Sequence, residues 1–325
     1  MPPRIAPIRA VSCLLLAGLL ATAVAACGGP PEPAPGGRPT LRIMNAFGPL
    51  SEPLTSEYRK RLPYLDIQTT NGVDSNNVIE ALQAGTADVG IALADAAYAA
   101  YWGPDRADGA KGRDASLIRG ISLLQPLAAY VLVRANSGIH TIADLQGKNI
   151  GLGPKTTSSS NLAYLVLDAF DVTANVVNVR SRADGITGLQ TKRFDAIFLP
   201  GYTYPDDLTY SAVKEGAYLI PIEGPALERL RWNNPFVRVA MIPRDIYPGQ
   251  NQIIPTVGID MVVLCRRDLD EPIVYDLTME LFNAYPQISG VEALLRFLNF
   301  NEAPATPIPL HAGAARYFRE REVAR

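Results

Sequence analysis

Short apolar runs alternate with amphipathic stretches along most of this chain, starting at Thr40. Residues 41–44 read as a short strand, 52–62 as a helix stopped by Pro63, and 65–70 as an alternating strand. Residues 76–84 carry Val78, Ile79 and Leu82 at helical spacing and end at Gly85, and 89–93 form a compact apolar strand. The second half repeats the theme. Strands are predicted at 130–133, 149–152, 174–179, 196–199 and 261–264, with helices at 158–170 and 183–192. Thr141 to Asp144 has the form of a capping box opening a short helix that Gly147 closes. Strands alternating with helices predict βαβ units, hence an α/β fold with a mainly parallel sheet.

One pattern occurs twice. Leu82-Gln83 followed by Asp88 and a strand matches Leu189-Gln190 followed by Asp195 and a strand, with the same step from Leu to Asp. At equivalent points of two βαβ series, this predicts two similar lobes.

Ligands of open α/β sheets bind beyond the carboxyl ends of the strands, so the residues after each strand are the candidates. They are Asn45, then Asn71, Ser75 and Asn76, then Asp95 and Tyr98, then the run Lys155, Thr156, Thr157, Ser158, and finally Tyr202. The hydroxyl run from Thr156 to Ser160 opens a helix, where free N–H groups and the helix dipole favour an anion, and Lys155 adds a full positive charge. Its glycine spacing is not that of a P-loop. Asp95 either accepts from a ligand amine or hydroxyl or caps the helix bearing Tyr98 and Tyr101. Asn71 and Asn77 are ligand-facing or turn and cap residues, and Tyr202 and Tyr204 form a lid or pack their loop.

Composition narrows the function. The chain has 325 residues, 48% hydrophobic, with 30 basic against 32 acidic groups, which predicts two domains and no basic field for nucleic acid. Three cysteines and two histidines supply neither a disulfide framework nor a zinc site, so no metal and no cofactor is expected. No catalytic constellation is visible. His140 and His311 read as surface residues, and Cys265 as a buried structural thiol.

The N-terminus reads as an address. Arg4 and Arg9 precede an uncharged, largely apolar stretch from Ala10 that ends in Val24-Ala25-Ala26-Cys27. Cysteine directly after these small residues resembles the lipobox of bacterial lipoproteins. That resemblance implies a signal peptide over 1–26, removed to leave lipidated Cys27; plain secretion with cleavage after Ala26 is the alternative. Five prolines and four glycines among residues 28–39 make 27–39 a tether between the bilayer and the folded part.

The motifs together resemble the TAXI family, the solute-binding receptor subunits associated with TRAP transporters. The resemblance covers most of residues 60–318. It rests on residues 61–77, Leu82 to Gly90, Ala94-Asp95-Ala96-Ala97-Tyr98, Ser137 to Lys148, Gly201-Tyr202 and Ile242-Pro243. Most specific are Ile246-Tyr247-Pro248-Gly249-Gln250 with Ile254-Pro255-Thr256-Val257-Gly258. It implies a type II periplasmic-binding-protein fold, with two Rossmann-like lobes joined by a two-segment hinge: lobe one at 40–126 and 267–325, lobe two at 127–266.

The implied function is an extracytoplasmic, membrane-anchored monomer that captures a small polar, anionic ligand, an amino acid or a carboxylate, for a TRAP-type membrane subunit. Its partners would be that transporter, the small molecule and the lipid bilayer. The receptor of an ABC importer, or a sensor domain of a membrane kinase, is the runner-up. An enzyme on this fold, resembling porphobilinogen deaminase, needs an accessible cofactor-bearing cysteine, for which Cys265 is poorly placed. The family's usual glycine-rich and Gly-Gly-Ser loops are replaced here by Asn45 to Pro49 and Asn71 to Ser75. The resemblance therefore implies the scaffold and not the ligand.

Overall fold

The computed structural model describes residues 37–48, 52–103, 117–153, 157–201, 205–290 and 298–323. The signal and lipidation readings at 1–26 and Cys27, most of the tether, and the candidates Lys155, Thr156 and Tyr202 lie outside these residues.

Ten strands of the described residues form one mixed sheet. The first series runs β1 (Thr40–Asn45), α1 (Glu52–Arg61), β2 (Asp66–Asn71), α2 (Ser75–Gln83), β3 (Val89–Leu93) and α3 (Ala94–Trp102). A long strand, β4 (Ile118–Val133), leads to the second series. That series is β5 (Asn149–Leu152), α4 (Ser158–Ala169), β6 (Asn175–Asn178), α5 (Arg182–Gln190) and β7 (Ala196–Gly201). After α6 (Asp207–Lys214), β8 (Tyr218–Ile220), α7 (Pro225–Asn233) and β9 (Val237–Ile242), the second long strand β10 (Ile254–Arg266) returns. Helices α8 (Glu271–Ile288) and α9 (Ala312–Val323) complete the fold.

The strand order is β2-β1-β3-β10-β4-β7-β5-β6, with β8 on β4 and β9 on β10. Read from its centre outward, that order has the same form on both sides. Strands β1, β2 and β3 pair in parallel and meet β10 antiparallel, and β5, β6 and β7 pair in parallel and meet β4 antiparallel.

The repeated Leu-to-Asp pattern marks equivalent corners of the two series. The Asp88 N–H donates to the carbonyl of Arg42, while its carboxylate accepts from the Arg42 N–H at 2.9 Å and from the guanidinium at 2.6 Å. The Asp195 N–H donates to the carbonyl of Asn149, and its carboxylate accepts from the Asn149 N–H at 3.1 Å and from Arg134 at 3.0 Å. The N–H of Arg266, at the end of β10, and that of Arg134, just past β4, close the two corners on the carbonyls of Asp88 and Asp195. Each carboxylate thus satisfies an N–H at the start of a parallel strand that would otherwise lack a partner.

The structure corrects several local expectations. The strand expected at 130–133 starts at Ile118, because Gly120 and Pro126, which disfavour a strand locally, sit where the β4–β10 register shifts. Gly120 also lies against the segment that follows α8; a Cβ there would meet the Thr306 hydroxyl oxygen at 2.5 Å. That segment covers the free side of β4, with the Leu123 and Gly120 N–H groups donating to Ala303 and Pro309 carbonyls. His311 is buried there and is not a surface residue: its Nδ1 accepts from Gly313 N–H, its Nε2 faces the Arg267 carbonyl, and burial lowers its basicity. At residues 141–144 only half of the capping box forms. Asp144 accepts from the N–H groups of His140 and Thr141, but the Thr141 hydroxyl donates to the same carboxylate instead of capping, and only a three-residue 3-10 turn follows.

Replacing Asp88 with Ala strands the Arg42 N–H and guanidinium. We expect urea denaturation to show a loss of about 2–4 kcal/mol. Asp195→Ala is expected to cost less, because that side chain is 24% exposed against 12% for Asp88.

Candidate functional site

The carboxyl ends of β1, β2 and β3 bring four of the expected residues together. Asn45 closes β1 and is 4% exposed. Its amide donates to the Asn71 side-chain oxygen at 2.9 Å, and its own oxygen accepts the Phe47 N–H at 2.8 Å. Ser75 opens α2, where its hydroxyl accepts the Leu93 N–H and fixes the end of β3. Both asparagines and this serine therefore shape the strand ends through bonds within their own series. Asn76 is exposed, and the true cap of α2 is Asp74, which accepts from the Asn77 N–H.

Asp95 does something different. The cap position of α3 is Leu93, so Asp95 lies inside the first turn and is not the cap. Its carboxylate, 8% exposed, faces the first turn of α4 in the other series. Burial raises its pKa above the ordinary carboxylate range, while the Ser158 hydroxyl, the N–H groups of Ala96 and Asp95 itself, and the Asn161 side chain pull it back down. One oxygen, Oδ1, is buried with no hydrogen-bond partner. An acceptor left this way costs about 1–3 kcal/mol and is ready for a donor.

The hydroxyl run divides between structure and site. Thr157 is the cap of α4, accepting the Ser160 N–H and donating to the Ser160 hydroxyl at 3.0 Å. Ser158 faces Asp95 across the gap between the series. Ser159 lines a narrow, mostly apolar crevice of about 10 Å3, room for about one water, with Leu162, the ends of β3 and β7, residues 127–129 and Ile259. Tyr98 is half-buried with its ring 5.5 Å from Phe236, so it packs the two sides of the gap together.

A further cluster lies beside the end of β7, and reading the sequence for polar strand ends does not find it. The Tyr247 hydroxyl donates to the Tyr130 oxygen at 3.2 Å and reaches Asp206, whose carboxylate also takes Arg182 at 2.6 Å and caps α6 through the Thr209 N–H. Its signal was the Ile246 to Gln250 motif. Gln250 accepts the Tyr247 N–H and donates to the Pro243 and Gln252 carbonyls, and Gly249 takes φ +73° to make the turn.

A family model described as the NMT1-like family matches residues 53–321. The chain belongs to the NMT1-like family. Its fold is that of the type II periplasmic binding proteins. It is similar to the alkanesulfonate-binding protein SsuA from Xanthomonas axonopodis pv. citri bound to MOPS, at 18% identity over 87% of this chain and 84% of that one, with a TM-score of 0.50. It is also similar to XAC2383 from Xanthomonas citri bound to chloride ion, at 14% identity over 87% of this chain and 96% of that one, with a TM-score of 0.53. In this NMT1-like protein the expected buried thiol is found: Cys265 is enclosed in β10, and burial pushes its pKa up. Among the described residues no three His, Cys, Asp or Glu side chains converge on a metal position.

Asp95 tests the site without a ligand. Its raised pKa means that the folded protein holds the proton more tightly than the unfolded one, so stability is greatest below the ordinary carboxylate pKa and falls as pH rises. Asp95→Asn should therefore be more stable than wild type at pH 7–8, by about 1–2 kcal/mol in urea, with the gap closing towards pH 4. A variant less stable than wild type at pH 8 would mean that the carboxylate is already well solvated by its neighbours.

Proposed function

We propose that this chain is an extracytoplasmic receptor that closes two lobes on a small polar ligand, an amino acid or a carboxylate, and presents it to a TRAP-type membrane transporter. The observation that carries this reading is Asp95, a buried acid with a spare acceptor oxygen, facing the first turn of α4 from the other strand series. Polar groups from two series at strand ends match the place where ligands bind on such sheets.

The lobes we propose are 40–126 with 267–325, and 127–266, joined where β4 and β10 pass between them. Pairing of residues 261–265 with β3 favours placing the second crossing near Asp260 instead of after Arg266. Closure of one lobe on the other is a hinge motion of the ordinary kind.

Within the two ligand classes, Asp95 favours the amino acid. A ligand carboxylate at the start of α4, helped by Lys155, Thr156 and Thr157, would stand close to the Asp95 carboxylate, and like charges repel unless an ammonium group lies between them. Asn45, Asn71, Ser75, Asn76, Tyr98 and Tyr202 would complete the rim. The same geometry serves an ABC importer receptor or a sensor domain. A neighbouring gene for a TRAP membrane component supports the first reading, and one for an ATPase or a kinase supports the others. Lipidated Cys27 would hold the receptor at the membrane, with 27–39 as its tether. Among the described residues no helix is long and apolar enough to cross a membrane.

Native mass spectrometry of freshly purified protein should reveal a retained small molecule, and calorimetry with that molecule should show Asp95→Asn weakening it at least about tenfold. Lys155→Ala should weaken it as well; unchanged affinity removes Lys155 from the site. Absence of any bound molecule, together with no thermal shift from a panel of amino acids and carboxylates, overturns the receptor reading. Cys27→Ser should move the protein from the membrane fraction to the soluble extracytoplasmic fraction.

A further inference from the structure

The β4–β10 crossing holds a charged group that the ligand site does not use. Asp260 of β10 stands opposite Pro126 of β4, beside the point where the register shifts before Val262. It is buried in the middle of the strand pair that links the two series. Arg238, on β9, is forked between two acids: its Nε lies 3.4 Å from the Asp260 carboxylate, and its terminal nitrogen bonds Glu302, in the segment between α8 and α9. Among the described residues strand β9 pairs only with β10, whereas the segment bearing Glu302 covers the first half of β4. One guanidinium thus connects β9, the crossing and the C-terminal segment.

The neighbours offer Asp260 little else. Opposite it, Pro126 neither titrates nor donates an N–H. The acid on α3, Asp95, faces α4. Glu302 competes for the same arginine, and its negative charge disfavours a second one nearby. Buried carboxylates with a single shared cation are costly, and they can lower that cost by taking a proton or by admitting water.

We propose that the Asp260–Arg238–Glu302 group is a proton-sensitive latch on the crossing: protonated Asp260 keeps β9, β10 and β4 packed as they are here, and ionised Asp260 favours loosening of the crossing to let water in. Burial pushes the Asp260 carboxyl up to about 7, against the pull of Arg238 and with a further push from Glu302. The packed crossing therefore binds the proton more tightly than a hydrated one. That extra stability is complete below about pH 4, the ordinary carboxylate range, and is lost as pH rises through about 7. Because the crossing is where the proposed lobes would hinge, the latch would couple receptor closure to external pH. This last step rests on the two-lobe receptor reading.

Hydrogen–deuterium exchange of the ligand-free full-length protein tests the latch. Protection of the peptides spanning 237–242 and 254–266, corrected for intrinsic exchange rates, should fall by up to about tenfold per pH unit between about pH 4 and 7 and level off above that, as one linked proton requires. Peptides spanning β5 and β6, remote from Asp260, should hold their protection. Asp260→Asn, which imitates the protonated form, should abolish the dependence and keep the acid-side protection at pH 8. Wild-type protection that is independent of pH at the crossing overturns the proposal whether or not the variant folds. So does a folded Asp260→Asn that retains the wild-type dependence. Neither measurement uses a ligand, so a flat result leaves the receptor reading standing, and a failed ligand search leaves the latch result standing.

Discussion

The antiparallel pairing of β4 with β10 is the contact on which the rest of the molecule depends. Among the described residues β10 meets the first parallel series and β4 the second, so the sheet is continuous through their pairing. The pairing is close: a Cβ on Gly258 would stand 2.8 Å from the Leu127 carbonyl oxygen, and the Thr256 hydroxyl donates to the Ala129 carbonyl at 2.6 Å. Side chains on both strands are nearly all buried, from Ile118 to Val133 and from Thr256 to Cys265. Burial of such long apolar strands is what holds the two halves in one body. The register shifts beside Asp260 and between Val263 and Leu264 leave the pair irregular along its length.

From that arrangement the site follows. The helices that follow β3 and β5 turn their first residues towards one another. Asp95 meets Ser158 there because β3 lies beside β10 and β7 beside β4, with α4 packed against β7, and not because of any proximity in sequence. An acid with one unpaired oxygen is a poor stabiliser of the empty protein. Its presence is understandable if a donor completes it, since a buried acceptor gains most when it finally finds a partner.

Much of this was legible beforehand, and for a definite reason. Helix and strand positions in the two βαβ series follow from local periodicity, which is a property of neighbouring residues. The matching steps to Asp88 and Asp195 were legible as a repeat because both carboxylates do the same local work, accepting an N–H near the start of an adjacent parallel strand. The first half of β4 was not legible: Gly120 and Pro126 break the local strand pattern, and only cross-strand packing and irregular register allow them. His311 looked like a surface residue because nothing near it in sequence shows that the segment after α8 returns along β4. The hydroxyl run was half legible. Its cap role at Thr157 and its site role at Ser158 need the same residue types, and spacing cannot separate them.

Taken alone, the sequence determined most elements of the two βαβ series, their alternation, the two similar series and the family resemblance, because these depend on residue type and short-range spacing. Which polar residues meet, it did not determine. Asn45 and Asn71 turn to each other, Tyr247 turns to Tyr130 and Asp206, and Asp95 crosses to the opposite series. Arg238 reaches both Asp260 and Glu302. Each of these is a contact between residues distant in sequence. Its energy depends on burial and on the partner's charge, and both arise only once the two series are joined through the long strands.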